Sequence, residues 1–415
     1  MYPTYLFLMQ GILQRRVMYS VVIVMTISSF GSALWQALFS IYLEELGISY
    51  VNIGLSTSIL FMLPAVLALP AGIMSDIMNK KGLMVLALTA NGFIVFLLPL
   101  AKNIEILIAL ILLYGFLSGL SVQSAISLVA YASTATYRAT AFAIYYFAIQ
   151  ISSTLGTFMS GPLIEYYGYD ILYLLASISY FISAALAWII MPSLGLPKSN
   201  TKLYENLNRL GKILKERRLR LLIITVILHD LSVFIAMPFT ALFAKDILSL
   251  DKSKISAILG IRNASLMMTQ IASGRLADMF GGGTLLTMHI MLTSALNVAY
   301  GLSNTLADAV IIMVISGFVF SLDMPARRAL ISLCAPEDLI ATINGVADTM
   351  VGIFAILTPI LGGYLWQMGY KREVFIVSGL CNLMALPFVI ILSLEERRRS
   401  KQYTSVQGNV NISYQ

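Results

Sequence analysis

Over 415 residues the chain is 59% hydrophobic and only 11% charged, with a mean hydropathy of +0.85. A soluble domain carries about a quarter charged residues, so this composition excludes a water-soluble globular protein and makes lipid the solvent. The net charge of +7 does not point to nucleic acid, because the basic residues sit in gaps between apolar runs rather than on an aromatic-studded polar domain.

The first fourteen residues are apolar but short, and no small-residue cleavage site follows, so they are expected to lie along the membrane surface. Runs near the ~20 residues that cross the hydrocarbon then recur. They fall at 17–43, 50–75, 83–101, 105–131, 139–164 and 169–191, and again at 220–244, 254–274, 284–303, 309–331, 338–361 and 373–394. Charge alternates between the breaks. With the N-terminus inside, the inner breaks hold 20 of the 27 Lys and Arg and the outer ones 6, so both termini are expected in the cytoplasm of a multi-pass cell-membrane protein. Residues 192–219 carry Leu203, Leu207, Leu210 and Leu214 on one helical face with basic residues elsewhere, which predicts an amphipathic linker helix on anionic lipid headgroups. The expected organisation is a first half at 1–191, this linker, a second half at 220–394 and a cytoplasmic tail at 395–415. Cys334 and Cys381 lie in or beside apolar runs without paired spacing, so neither a disulfide framework nor a metal site is expected.

The break after the second run reads Gly72-Ile73-Met74-Ser75-Asp76 and closes on Lys80-Lys81-Gly82. It recurs 202 positions later as Gly274-Arg275-Leu276-Ala277-Asp278, followed by Gly281-Gly282-Gly283. Gly115-Phe116 and Ala139-Thr140 recur at the same offset as Gly317-Phe318 and Ala341-Thr342, so the chain reads as two parallel halves.

On these residues the chain resembles the major facilitator superfamily along all twelve runs. The family's loop signature, Gly-x-Leu-Ala-Asp-Arg-x-Gly-Arg-Lys, is met at Gly72, Asp76, Lys80 and Lys81. Ile77 replaces its first Arg, and Asn79, which tolerates a left-handed backbone, its second Gly. The resemblance implies an all-α fold of twelve transmembrane helices in two six-helix pseudo-symmetric halves, working by alternating access. It also implies a cytoplasmic latch at Gly72, Asp76, Lys80, Lys81, Gly274, Arg275 and Asp278, which the duplication favours over a tight turn with a topogenic Lys pair. The first copy retains its Lys pair, so the Asp76 side is expected to be the firmer clasp. Gly156 and Gly161-Pro162 resemble part of the family's antiporter motif. Gly115-Phe116-Leu117-Ser118-Gly119 lacks the Arg that drug antiporters carry in the fourth span.

An ionisable residue at a membrane helix centre costs about 2.5–3.5 kcal/mol on insertion scales, so it is normally paired and functional. The first half has none near a span centre; Ser32, Trp35 and Gln36 on the first span and Gln123 on the fourth are its cavity candidates. The second half has His229-Asp230 in the seventh span and Arg262 in the eighth, at depths ~5 Å apart, which predicts an Asp230–Arg262 pair. This pair is either structural or a proton or substrate site. Asp323 and Arg327 lie four residues apart on one face of the tenth span, Arg327-Arg328 being assigned to snorkelling or topology; Asp323 is either a latch partner or a proton site, and Asp348, central in the eleventh, is a further proton candidate. His229 alone reads as a hydrogen-bonded helix residue rather than a proton relay.

No nucleotide loop, metal-ligand spacing or catalytic constellation is visible, so no cofactor and no enzymatic activity are expected. The expected function is proton-coupled secondary transport of a small organic solute by a monomer among membrane lipids, with no nucleic-acid partner. Export of an amphiphile is favoured over uptake of a metabolite or organic anion, and a non-transporting receptor or scaffold is the remaining alternative.

Overall fold

A computed structural model describes residues 2–133, 138–193, 216–334 and 340–398, and these are helical apart from short connections. Most of the 192–219 linker and of the 395–415 tail lie outside them.

The first span is α1 (Tyr2–Gln36) with α2 (Phe39–Glu45), and the second is α3 (Tyr50–Val66) with α4 (Ala68–Ile77). The third and fourth are α5 (Lys80–Leu97) and α6 (Ile104–Ala132); the fifth and sixth are merged in α7 (Arg138–Ile190). Gly168 divides α7 with φ of 81°, a conformation that only glycine adopts without strain. The seventh span is α8 (Arg217–Ala236) with α9 (Thr240–Asp246); the eighth and ninth are α10 (Lys252–Phe280) and α11 (Gly282–Leu302). α12 (Leu306–Phe320) and α13 (Asp323–Cys334) make the tenth, α14 (Ile340–Ala355) and α15 (Thr358–Gln367) the eleventh. α16 (Glu373–Asn382) and α17 (386–398) make the twelfth.

Among the described residues nine stretches are long and apolar enough to cross a membrane. One of these holds the two spans of α7; with the shorter second span and the more polar α10, the layout is consistent with twelve. α1 runs unbroken from Tyr2, so the opening residues are helical and continuous with the first span, whose apolar stretch begins at Leu13.

Starts and breaks follow local chemistry. Ser49 caps α3 and Asp251 caps α10 through side-chain acceptors, and Thr305 with Asp308 forms a capping box at α12. Pro238 and Pro359 fall in the first turn after a mid-span break, where the missing N–H costs nothing.

The sequence repeat is a packing repeat. An added Cβ at Gly115 would stand 3.0 Å from Leu63 of the second span, and one at Gly317 would stand 2.2 Å from the carbonyl of Arg262 in the eighth. The fourth span thus packs on the second as the tenth packs on the eighth. Across the molecule, Gly54 of the second span would place a Cβ 2.2 Å from Pro359 O of the eleventh, and Gly161 of the fifth 2.2 Å from Lys252 O of the eighth. These two crossings exchange under the rotation that maps one half on the other.

All cross-half ion pairs among the described residues gather at one end. Lys245 Nζ meets Glu44 at 2.7 Å and Lys252 Nζ meets Glu45 at 2.9 Å, while Ser253 donates to Glu165 from backbone and hydroxyl. At this glutamate end the two halves are closed on each other.

Candidate functional site

Asp323 opens α13, and one helical turn later Arg327 stands on the same face; its Nε donates to Asp323 Oδ1 at 2.6 Å. The rest of the guanidinium reaches α8, where Nη1 and Nη2 donate to the two oxygens of Asp230 at 3.0 and 2.7 Å. A bidentate fork of this kind is the strongest geometry available to the pair. All three side chains are 14–16% exposed.

The expected Asp230–Arg262 pair is therefore not formed. Depth along the helix axes is one coordinate; the direction each residue faces decides its partner, and Arg327 faces Asp230. Arg262 instead lies over the ring of Phe320, 4.3 Å from its centroid, and has no ion pair among the described residues. Arg327 also leaves the snorkelling role assigned to it, since it joins two helices inside the second half.

Behind the carboxylates, His229 of α8 and His289 of α11 bring their Nε2 atoms to 3.0 Å. His229 Nδ1 is 2.8 Å from Asn382 Oδ1 of α16, and His289 Nδ1 is 2.9 Å from the carbonyl of Val319. Donor atoms of His229, His289 and Asp323 lie within 4.8 Å of one another, close enough to weigh as a metal site. The geometry does not fit one. Tetrahedral zinc, with bonds of about 2.0–2.1 Å, sets its ligands roughly 3.3 Å apart. Here the histidine nitrogens are closer, the carboxylate oxygen is 4.0 Å from His289 Nε2, and Arg327 already occupies it.

One cavity adjoins this cluster and a second adjoins that cavity. The first, of about 380 Å³, is lined by His229, Asp230, Asp323, Arg327, Tyr300 and Arg262 among others. The other, about 250 Å³, lies between the halves, with Gln36 and Thr157 on one side and Arg262 and Asn263 on the other. Arg262, Met237 and Thr240 border both.

In the first half, Ser32 donates to Ser28 O at 3.0 Å, so its hydroxyl accepts from Tyr180 at 2.6 Å. Tyr180 in turn accepts from Tyr114 at 2.7 Å, and Tyr114 from Gln36 at 2.8 Å, so a directed chain runs from the inter-half cavity into the bundle. Trp35 is 1% exposed and packs edge-on to Phe39 and Tyr114, as core rather than cavity wall. Gln123 is half-buried and borders neither cavity, and Asp348 is exposed on α14.

At the repeated motif, Lys80 donates to Ser75 O and Lys81 to Met191 O, each at 2.7 Å and within the first half. Asn79 is not left-handed: at φ −67° it caps α5, its side chain accepting from the N–H of Lys81 and Gly82. The side chains of Asp76, Asp278 and Arg328 lie outside the described residues. Arg275 is exposed, and no neighbouring Cβ clash constrains Gly72 or Gly274. In the second copy Gly281 takes φ of 83°, and the N–H groups of Gly282 and Gly283 donate to Glu396 of α17 at 3.1 and 2.7 Å. An anion at a helix N-terminus thus stands where the first copy has its lysines.

The Major Facilitator Superfamily profile matches residues 21–312 and, again, 222–411. The chain belongs to this superfamily of transporters. A multi-drug resistance efflux pump, PmrA homolog, of Lactococcus lactis is 23% identical over 336 residues, 78% of this chain and 81% of its own. The tetracenomycin C resistance and export protein of Streptomyces glaucescens is 26% identical over 150 residues, 36% of this chain and 28% of its own. A crystal structure of a bacterial homolog of the human lysosomal transporter Spinster, inward-facing and unoccupied, superposes with a TM-score of 0.75 at 13% identity. It covers 92% of this chain and 97% of its own.

Within the superfamily fold, sequence reasoning missed His289, Asn382 and the Tyr114–Tyr180 pair. His289 had a signal: the chain has two histidines, both in apolar runs, where an imidazole needs a partner. The tyrosines had none, being two of 21.

Proposed function

We propose that this transporter moves a small organic solute across the cytoplasmic membrane by alternating access, driven by protons and in the direction of export. The observation that carries the reading is the Asp230–Arg327–Asp323 cluster, buried yet bordering a cavity that shares Arg262 with the space between the halves. A proton taken up at this cluster competes with Arg327 for the charge of the two carboxylates and loosens the link between α8 and α13, which ties proton uptake to helix movement. The two relatives named for efflux and export support the direction. With Lys80 and Lys81 placed inside by the positive-inside rule, the ion pairs at the glutamate end lie on the outer side, which supports an outward-closed state.

The test uses proteoliposomes and ethidium as an amphiphilic probe. An imposed pH gradient is expected to accelerate ethidium movement, and Asp230→Asn to lose at least about tenfold of that gradient-driven component. Full gradient-driven flux in Asp230→Asn removes the cluster from coupling.

Arg262 favours a second reading. A guanidinium in the inter-half cavity, stacked on Phe320 without a carboxylate partner among the described residues, suits a solute bearing a carboxylate or phosphate. Carboxyfluorescein flux that depends on Arg262 and exceeds that of ethidium decides for it.

A further inference from the structure

The chain's two histidines meet each other, and their outer nitrogens fix what happens between them. Val319 O, which faces His289 Nδ1, can only accept a hydrogen bond. Asn382 is oriented by its amide nitrogen, which donates to Ile290 O at 3.2 Å; it therefore presents its oxygen to His229 Nδ1. Both Nδ1 atoms carry hydrogens. In a neutral ring the other nitrogen is then a bare acceptor. With both rings neutral, two lone pairs oppose each other at 3.0 Å, a hydrogen-bond distance with no hydrogen in it. One added proton converts that repulsion into a charge-assisted N–H···N bond.

The surrounding charges act the same way. Asp230 Oδ1 is 3.8 Å from His229 Nε2, and Asp323 Oδ1 is 4.0 Å from His289 Nε2. These two carboxylates share the single charge of Arg327, so the contact shell is one positive charge short until a proton arrives. α12 contributes Phe320, edge-on to His289, and α16 contributes Asn382, both uncharged. Arg262 of α10 stacks on Phe320 and has no hydrogen bond to either imidazole.

We infer that His229 and His289 form a one-proton site, the proton being shared between their Nε2 atoms; resting on the proton-coupled reading above, this is the coupling proton. Loading takes one proton from water in the adjoining cavity and balances the cluster. Release to water restores two neutral rings whose opposed lone pairs push α8 and α11 apart, a mechanical step tied to unloading.

The experiment is 15N NMR of histidine-labelled, full-length protein on an affinity tag without histidine, so that only two rings are seen. Near pH 7 both Nδ1 are expected protonated, with one Nε2 proton shared by the rings and lost in a single step of about one proton as the pH rises. His289→Gln is expected to abolish the shared signal and leave His229 a plain Nδ1–H ring. An Nε2–H tautomer in either ring, or no shared proton anywhere between about pH 5 and 9, overturns the site. So does stoichiometric Co2+ binding to both Nε2 atoms. Flux of ethidium in proteoliposomes separates the two claims. A shared proton with flux indifferent to a pH gradient leaves the site standing and ends the coupling reading. If coupling passes through the pair, His289→Gln brings the ratio of gradient-driven to gradient-free flux to about 1. A ratio unchanged from wild type places the coupling proton elsewhere.

Discussion

Arg327 donates to both Asp230 and Asp323, so removing it strands two carboxylates inside the second half. Breaking a buried pair at one partner costs about 3–5 kcal/mol because it leaves an uncompensated charge, whereas neutralising all members with near-isosteric amides strands none. Arg327→Ala is therefore expected to lower the thermal midpoint in detergent sharply. The triple change Asp230→Asn, Asp323→Asn, Arg327→Gln is expected to recover most of that stability while still failing to respond to a pH gradient. Recovery of both properties makes the cluster purely structural. The sequence disclosed Asp230, Asp323 and Arg262 as costly intramembrane charges, and the four-residue spacing of Asp323 and Arg327 disclosed one bond. It did not disclose which guanidinium meets Asp230, because that depends on how α8 and α13 are rotated about their axes.

At the level of elements, spans, polar breaks and the 202-residue repeat were legible, since burial in lipid forces long apolar runs and the repeat preserves glycines at crossings. The bend at Gly168 falls in the gap expected between 164 and 169, whereas the break after Gln36 in the first span has neither Pro nor Gly to mark it. Gly54 and Gly161 carry a consequence. Their cross-half neighbours are backbone carbonyls, which cannot rotate away, so a side chain at either forces the closed end apart. Gly54→Val and Gly161→Val are expected to raise labelling of an introduced cysteine at the glutamate end. Labelling no faster than in the parent locates the contact outside the gating movement.

For the whole molecule, closure rests on Glu44–Lys245 and Glu45–Lys252 at one end, with the repeated motif at the other. Asp76→Asn is expected to bias the protein toward inward-open states more than Asp278→Asn, read by cysteine accessibility at both ends; equal or reversed effects defeat the ranking of the two clasps. Glu396 suggests why the copies differ: it supplies from α17 an anion that ties the start of α11 to the last span. Such an anion contributes about 0.3–1 kcal/mol at an exposed helix end and up to about 2 when partly buried. Glu396→Gln is expected to lose that much in a thermal scan, and Glu396→Asp to lose less. The working bundle thus extends at least through Glu396 and Arg397, and a fusion partner joined any earlier disturbs the ninth span, more than a hundred residues away along the chain.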